Sequence, residues 1–348
     1  MVSEPVRFDE LEATAFAVKV LRACGAHHDA ALALARGIVA AEGDGIVSHG
    51  FNYLPIYCEH LRCGKVRGDA VPSVEAISEV AFVADAGHGF AHLAIERGLE
   101  QACAAARRHA LAALGVRNSY NCGVLGFHVE NIARQGLMGL GFTNAPASIA
   151  PVGGTRAVVG TNPFALGVPD GQGGAALVID QSSSVVAKSE INVRAKKGEP
   201  LPEGWAFGPD GTPTTDPHTA LQGTMAPAGG YKGVGIALPV ELFAAALTGA
   251  TLGLHASSFA KNDGGPPGTG QFFLLIDPKP FSQEAFGQRL EDLVAAITAQ
   301  EGARLPGQRR RAARERIAQK GIAIGHDLYQ RILGYLQAPP LVSEPRDR

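Results

Sequence analysis

From about residue 136 to residue 240 the chain is rich in glycine and proline, which disfavours long regular elements. Proline removes a backbone donor and clashes with the preceding turn of a helix, and glycine carries an entropic cost in any regular element. Short strands are expected there, such as residues 140–143 and 176–179. The order of elements does not suggest a regular series of strands alternating with helices. The flanks read differently. Residues 8–24 and 29–42 carry apolar side chains at helical spacing around Gly25-Ala26-His27-His28, which predicts a helical hairpin. A third helix is expected over 53–63, an alanine-rich one over 91–109, and others over 125–135, 238–248, 282–300 and 310–320. Strands are expected at 80–84, 111–116 and 272–276. The order of elements suggests a mixed α/β protein that opens with helices.

The totals narrow the class. At 348 residues with 46% apolar and 18% charged side chains, the chain can bury a large core, on the scale of about two domains. Net charge is −2, and the run Arg309-Arg310-Arg311 lies among Arg314, Glu315 and Arg316. That is a solvated helix face or a phosphate contact, and nucleic acid is not expected. Cys24, Cys58, Cys63, Cys103 and Cys122 are odd in number and scattered, so they read as free thiols. With no leader pattern at Met1 and no apolar run of membrane length, the expectation is a cytoplasmic protein without membrane contact.

No Gly-x-Gly-x-x-Gly follows a strand; Gly123-Val124-Leu125-Gly126 and Gly233-Val234-Gly235 miss the spacing. Four other glycine-rich stretches stand out: Pro151-Val152-Gly153-Gly154, Gly160-Thr161-Asn162-Pro163, 227–233 and Pro306-Gly307-Gln308-Arg309-Arg310. Each is either a tight turn or a backbone cradle for an anion, with Lys232 or Arg309 adding charge. Ser48-His49-Gly50 has two readings as well. Ser48 could cap the next helix. Alternatively, Ser48 could orient the imidazole as a proton donor, with Gly50 leaving room for a ligand.

Together these stretches resemble the type-2 malate/L-lactate dehydrogenase family. Ser48-His49-Gly50 with Leu54-Pro55, Asn118-Ser119, Gly160-Thr161-Asn162-Pro163, Gly204-Trp205, Pro213-Thr214-Thr215-Asp216-Pro217, Gly229-Gly230-Tyr231-Lys232-Gly233 and Pro306-Gly307 occur in the family's order, across roughly residues 8–335. The resemblance implies a non-Rossmann fold, built on a mixed sheet, that binds NADPH, with NADH possible, a small-molecule substrate, and a homodimer. It implies an N-terminal helical region over 1–75, a structural α/β domain over 76–117 and 285–338, a cofactor domain over 118–284, and a tail over 339–348. It makes His49 the proton donor, Ser48 its polar neighbour, and Thr161 a substrate contact. Cofactor contacts carry over to Asn121, Cys122, Gly123, Val124, Leu125, Ile179, Asp180, Gln181, Lys232, Arg304, Pro306, Gly307, Arg309 and Arg310. Glu190 stands where many oxo-acid reductases of the family have lysine. An acidic residue there resembles the delta-1-piperideine-2-carboxylate and delta-1-pyrroline-2-carboxylate reductase branch, and would complete a relay with Ser48 and His49.

Two positions depart from the pattern. Tyr53 stands where the family has an arginine that grips the substrate carboxylate, and Asn121 where it usually has histidine; Asp44 and Val47 also differ. A phenol donates one neutral hydrogen bond where guanidinium donates two charged ones. The expected activity is NAD(P)H-dependent reduction of a cyclic imine. The rivals are a 2-oxo acid dehydrogenase and a non-catalytic binding protein on the same scaffold.

Overall fold

The computed structural model describes residues 4–283 and 285–337, so the expected tail at 339–348 lies outside the described residues. The chain opens with a short strand, β1 (Val6–Phe8), which pairs antiparallel with β12 (Ile322–Ile324) and ties the two ends together. Helix α1 (Glu10–Ala23) starts where Asp9 and Glu12 form a reciprocal capping box. Phe8 is thus strand, and the expected helix begins two residues later. Ala13, Ala17, Val20 and Leu21 of α1 are buried against α2 (His28–Gly43), whose many buried alanines allow close approach. Helix α3 (Leu54–Arg62) carries Pro55 in its first turn, where no backbone donor is needed.

A seven-stranded sheet follows. Its strands are β2 (Ser73–Ala76), β3 (Ala81–Asp85), β4 (Leu111–Ser119), β5 (Met138–Thr143), β6 (Phe164–Pro169), β7 (Ala175–Gln181) and β11 (Thr269–Ile276), in the order β2-β3-β4-β11-β5-β6-β7. Only β3 and β4 pair in parallel, so the sheet is mixed. It takes strands from both sides of residue 118, because β4 pairs with β11. Helices α4 (Ala91–His109) and α5 (Leu125–Ala133) cover one face. The approach of α5 is tight: a Cβ on Gly167 would lie 2.2 Å from the Val129 carbonyl oxygen, so β6 needs glycine there.

Between β7 and β11 lie α6 (Lys188–Lys197), a three-stranded sheet of β8 (Ala206–Phe207), β9 (Pro213–Thr214) and β10 (Thr224–Met225), α7 (Pro217–Gln222) and α8 (Tyr231–Glu241). Helix α8 runs into a π-helical turn, Leu242–Ala246, which together fill the place of the single helix expected at 238–248. Phe243 of that turn stacks between Phe142 and Phe272 on the second face of the sheet, with centroids 5.1 and 5.3 Å away. The helix expected over 282–300 is α10 (Phe286–Thr298), preceded by a short helix α9 (Lys279–Ser282). Helices α11 (Gln308–Lys320) and α12 (His326–Gln337) return to the N-terminal region.

At one end of the sheet the core becomes polar. Buried Ser119, Gln271 and Thr143 are joined by hydrogen bonds of 3.1 and 3.2 Å across three strands. Satisfied buried polar groups specify one arrangement, and this end of the sheet leads directly into the loop that begins at Tyr120.

Candidate active site

After α2 the backbone makes one 3-10 turn, Val47–His49. Ser48 Oγ lies 3.0 Å from His49 Nδ1, while α3 starts with no side-chain cap. The hydroxyl is therefore committed to the ring rather than to a helix terminus. Gly50 is needed for a different reason than a ligand: a Cβ there would lie 2.1 Å from Glu42 Oε1. That carboxylate sits beneath the turn and accepts the Phe51 N–H at 2.7 Å. Burial pushes the Glu42 pKa up.

The first turn of α3 brings Tyr53 beside His49. The two rings are nearly parallel, 7° apart, with centroids 6.4 Å distant. Tyr57, one helical turn on, packs edge-on to Tyr53 at 4.8 Å. The loop after β4 supplies Asn121, whose Nδ2 donates to Tyr53 Oη at 3.3 Å and whose Oδ1 accepts from Tyr57 Oη at 3.1 Å. Both departures from the family pattern thus touch one another. Burial raises the Tyr53 pKa to about 12, so the phenol stays protonated.

The loop continues through Cys122, Gly123, Val124 and Leu125. The three non-glycine side chains here are buried, so this stretch can offer a ligand backbone rather than side chains. Gly126 N–H donates to Asp180 Oδ2 at 2.9 Å, and Arg310 pairs with the same oxygen at 3.1 Å. A Cβ on Gly126 would lie 2.4 Å from Arg310 Nη1. The loop after β4, the Ile179-Asp180-Gln181 end of β7 and the Pro306-to-Arg310 segment therefore meet, with Gly307 packed on Val178. Arg310 Nη1 is buried without a hydrogen-bond partner among the described residues and borders a small cavity with Arg311, Arg314 and Gly307. An unsatisfied buried cationic donor fits an anionic ligand. Arg304 and Arg309 are exposed, as is Lys232 in the first turn of α8 after Gly229 and Gly230.

Asp180 connects this cluster with His49. Burial lowers the pKa of His49, and the negative charge of Asp180 opposes that shift. Sequence reasoning placed Asp180 only among the cofactor contacts. Glu190, expected beside Ser48 and His49, instead pairs with Arg194 at 3.4 Å, and Arg194 lies over the Trp205 ring. No hydrogen bond joins Glu190 to Ser48 or His49 among the described residues.

Thr161 is half-buried, and its carbonyl accepts from Ser183 N and Ser182 Oγ. Next to it, Asn162 is fully buried at φ +35° and donates to Glu241 Oε2 at 2.7 Å. Glu241 also accepts from Asn144 and from Gly253 N–H. The Gly160-to-Pro163 motif is thus anchored from below through Asn162. Tyr57 escaped the sequence reading, although its spacing of four from Tyr53 on a helix was the available signal.

The sequence profile of the malate/L-lactate dehydrogenase family matches residues 8–333. A (2R)-3-sulfolactate dehydrogenase (NADP(+)) of Chromohalobacter salexigens is 46% identical over 303 residues, which is 87% of this chain and 90% of that protein. A delta(1)-pyrroline-2-carboxylate reductase of Ancylobacter novellus is 39% identical, covering 94% of this chain and 97% of that one. The crystal structure of delta1-piperideine-2-carboxylate reductase from Pseudomonas syringae pvar. tomato superposes with a TM-score of 0.90 at 32% identity, covering 95% and 99% of the two chains. With its mixed sheet, its N-terminal helices and its convergent loops, the chain belongs to the malate/L-lactate dehydrogenase family and is an NAD(P)-dependent oxidoreductase.

Proposed function

We propose that the chain reduces the C=N bond of a cyclic 2-imino acid with NADPH, His49 delivering the proton to the imine nitrogen. The observation that carries this reading is the oriented Ser48–His49 pair beside Tyr53, next to three segments, two of them carrying glycine, that meet at Asp180. Relatives named as pyrroline-2-carboxylate reductases, at up to 39% identity, supply the substrate class. When bound, the nicotinamide supplies hydride; the protein's task is to hold donor and acceptor together and to manage the proton. Arg310, the 121–125 backbone and Lys232 would hold the dinucleotide. Ser48 fixes the His49 ring, and Thr161 borders the substrate. NADPH fluorescence titration, followed by rates on pyrroline-2-carboxylate and piperideine-2-carboxylate, tests this reading; no turnover of either would overturn it.

The 46% identity to a sulfolactate dehydrogenase favours a second reading, a 2-oxo acid as acceptor. Rates on pyruvate and sulfopyruvate in the same assay separate the two, since the proton would then go to oxygen. Running the series with NADH as well as NADPH decides the cofactor preference.

Two consequences follow for the site. The protonated form of His49 is the reactive one in reduction, so kcat/KM should fall as pH rises through its pKa. Burial holds that pKa below the ordinary value, and Asp180 holds it up. Asp180→Asn should therefore move the descending limb to lower pH; a limb that stays in place would remove Asp180 from this role. Lys232→Ala should raise the cofactor Kd roughly ten- to a hundredfold, the scale of one charge-assisted hydrogen bond. An unchanged Kd would assign Lys232 to the substrate or to the fold alone.

We also propose a cytoplasmic homodimer. All five cysteines are free, four of them buried, and no described helix is long and apolar enough to cross a membrane. On the second face of the sheet Met138, Leu140, Leu274 and Ile276 are only half-buried, and Leu238, Leu242 and Leu247 nearby are exposed. An apolar surface of this kind marks an association site. Sedimentation at micromolar concentration should give twice the chain mass of 36.1 kDa; a monomer would overturn it.

A further inference from the structure

Where the resemblance leads one to expect an arginine, this chain builds a neutral, directional arm from three residues of two elements. The direction follows from what each atom can do. The Gly123 backbone N–H, 3.1 Å from Asn121 Oδ1, can only donate, so the amide atom facing it is oxygen. Tyr57 Oη donates to that same oxygen at 3.1 Å. Asn121 Nδ2 therefore faces Tyr53 and donates to its oxygen at 3.3 Å. Tyr53 accepts from Asn121, and its own hydroxyl proton is left for another acceptor. The ring that carries it lies parallel to His49. Tyr57 is fully buried and edge-packed on Tyr53, Phe90 and Tyr120, so the chain of bonds has little freedom to reverse.

We infer that Tyr53 is a single neutral hydrogen-bond donor to an acceptor oxygen of the substrate beside His49, and that Asn121 and Tyr57 are positioning residues that set its direction. The substrate class this arm suits is one whose oxygen needs no full negative charge: a carboxamide or ester oxygen is taken nearly as well as a carboxylate oxygen. A guanidinium fork would select strongly for the carboxylate, because hydrogen bonds to charged partners are about twice as strong as neutral ones. Tyr120 also faces the Tyr53 hydroxyl, and its influence, lowering the Tyr53 pKa against burial, is that of a donor. Its hydroxyl lies 2.5 Å from His60 Nδ1 and packs against Tyr57 from behind. This inference rests on the proposed imine reduction for its choice of probes.

The test uses the full chain loaded with NADPH, and two kinds of readout. The first is the direct binding of pyrrole-2-carboxylate and of pyrrole-2-carboxamide, planar analogues that need no turnover. Wild type should bind the two within about tenfold of each other, and Tyr53→Arg should favour the carboxylate by a further tenfold or more. Tyr53→Phe should weaken both about two- to twelvefold, the loss of one neutral hydrogen bond. The second readout is coupling, measured as KM against kcat on pyrroline-2-carboxylate. Asn121→Asp turns both side-chain atoms into acceptors, so Tyr53 must donate to residue 121 and is lost to the substrate. It should reproduce the rise in KM of Tyr53→Phe, with kcat little changed, and the double variant should be no worse than either single one. Tyr57→Phe should give a smaller rise of the same kind, and Tyr120→Phe none. A merely structural role would instead give additive losses in both parameters. Wild-type discrimination above about a hundredfold for the carboxylate, or full additivity of Asn121→Asp and Tyr53→Phe, overturns the inference. Imine turnover with such results leaves the proposed function standing, whereas analogue binding with the expected ratios but no turnover keeps the arm and removes the proposed reaction.

Discussion

Replacing His49 with alanine should lower kcat for reduction by about 10²- to 10⁴-fold, the range that general acid catalysis supplies, with cofactor affinity nearly unchanged. The expectation follows from position. His49 ends a one-turn 3-10 segment, with Nδ1 engaged by Ser48 at 3.0 Å and Nε2 left for the reacting atom. The three segments that meet at Asp180 do not depend on the imidazole, so they should still bind the dinucleotide. Ser48→Ala should cost less, because it removes an orienting partner and leaves the imidazole in place. Pre-steady-state mixing shows whether hydride transfer limits turnover. If it does, and the alanine variant loses under about tenfold, His49 is not the proton donor.

What could be read from the sequence was local. The hairpin of α1 and α2, the alanine-rich α4 and the apolar strands β4 and β11 follow from spacing alone, because each buries one face or both. The mixed sheet was legible only through the family resemblance, since the glycine- and proline-rich middle of the chain still forms helices α6 and α8. Pairing at long range was not. Strands β1 and β12 are three residues each and lie more than 300 residues apart, too short for any periodicity to register. The site shows the same limit. Tyr53 and Asn121 could each be seen as departures, but only the fold shows that they are bonded to one another across 68 residues of chain. Glu190 was placed by resemblance beside His49, and here its i,i+4 neighbour Arg194 takes the carboxylate. Gly50 was read as space for a ligand, and that space belongs to Glu42.

Asp44 illustrates how such a departure is balanced, and how much depends on it. Its carboxylate is 3% exposed and is held by Arg314 Nε at 2.5 Å. The same guanidinium forks onto Glu130 at 2.5 and 2.6 Å, joining α11 to α5 and to the end of α2. Arg314→Met keeps the side-chain length but strands two buried carboxylates. Breaking a buried pair this way typically costs 3–5 kcal/mol, and the 36% exposure of the Arg314 side chain puts the expectation near the lower end, at about 3 kcal/mol. Arg134 remains on Glu130 at 2.9 Å, so most of the loss falls on Asp44, and Asp44→Asn in the Met background should recover part of it. The pH dependence has a definite sign. Arg314 holds the Glu130 pKa below its ordinary value, against the desolvation that raises it. A carboxylate depressed in the folded state stabilises fully above its unfolded pKa of about 4.3 and loses that stabilisation as pH falls through the folded value. The gap in thermal midpoint between wild type and Arg314→Met should therefore be widest near neutrality and narrow at acid pH by the share that Glu130 contributes. Because α11 also carries Arg310, which is pinned to Asp180 at 3.1 Å, the same variant should weaken cofactor binding. A midpoint gap that is small at pH 7, or that widens on acidification, would show that the cluster does not hold α11 in place.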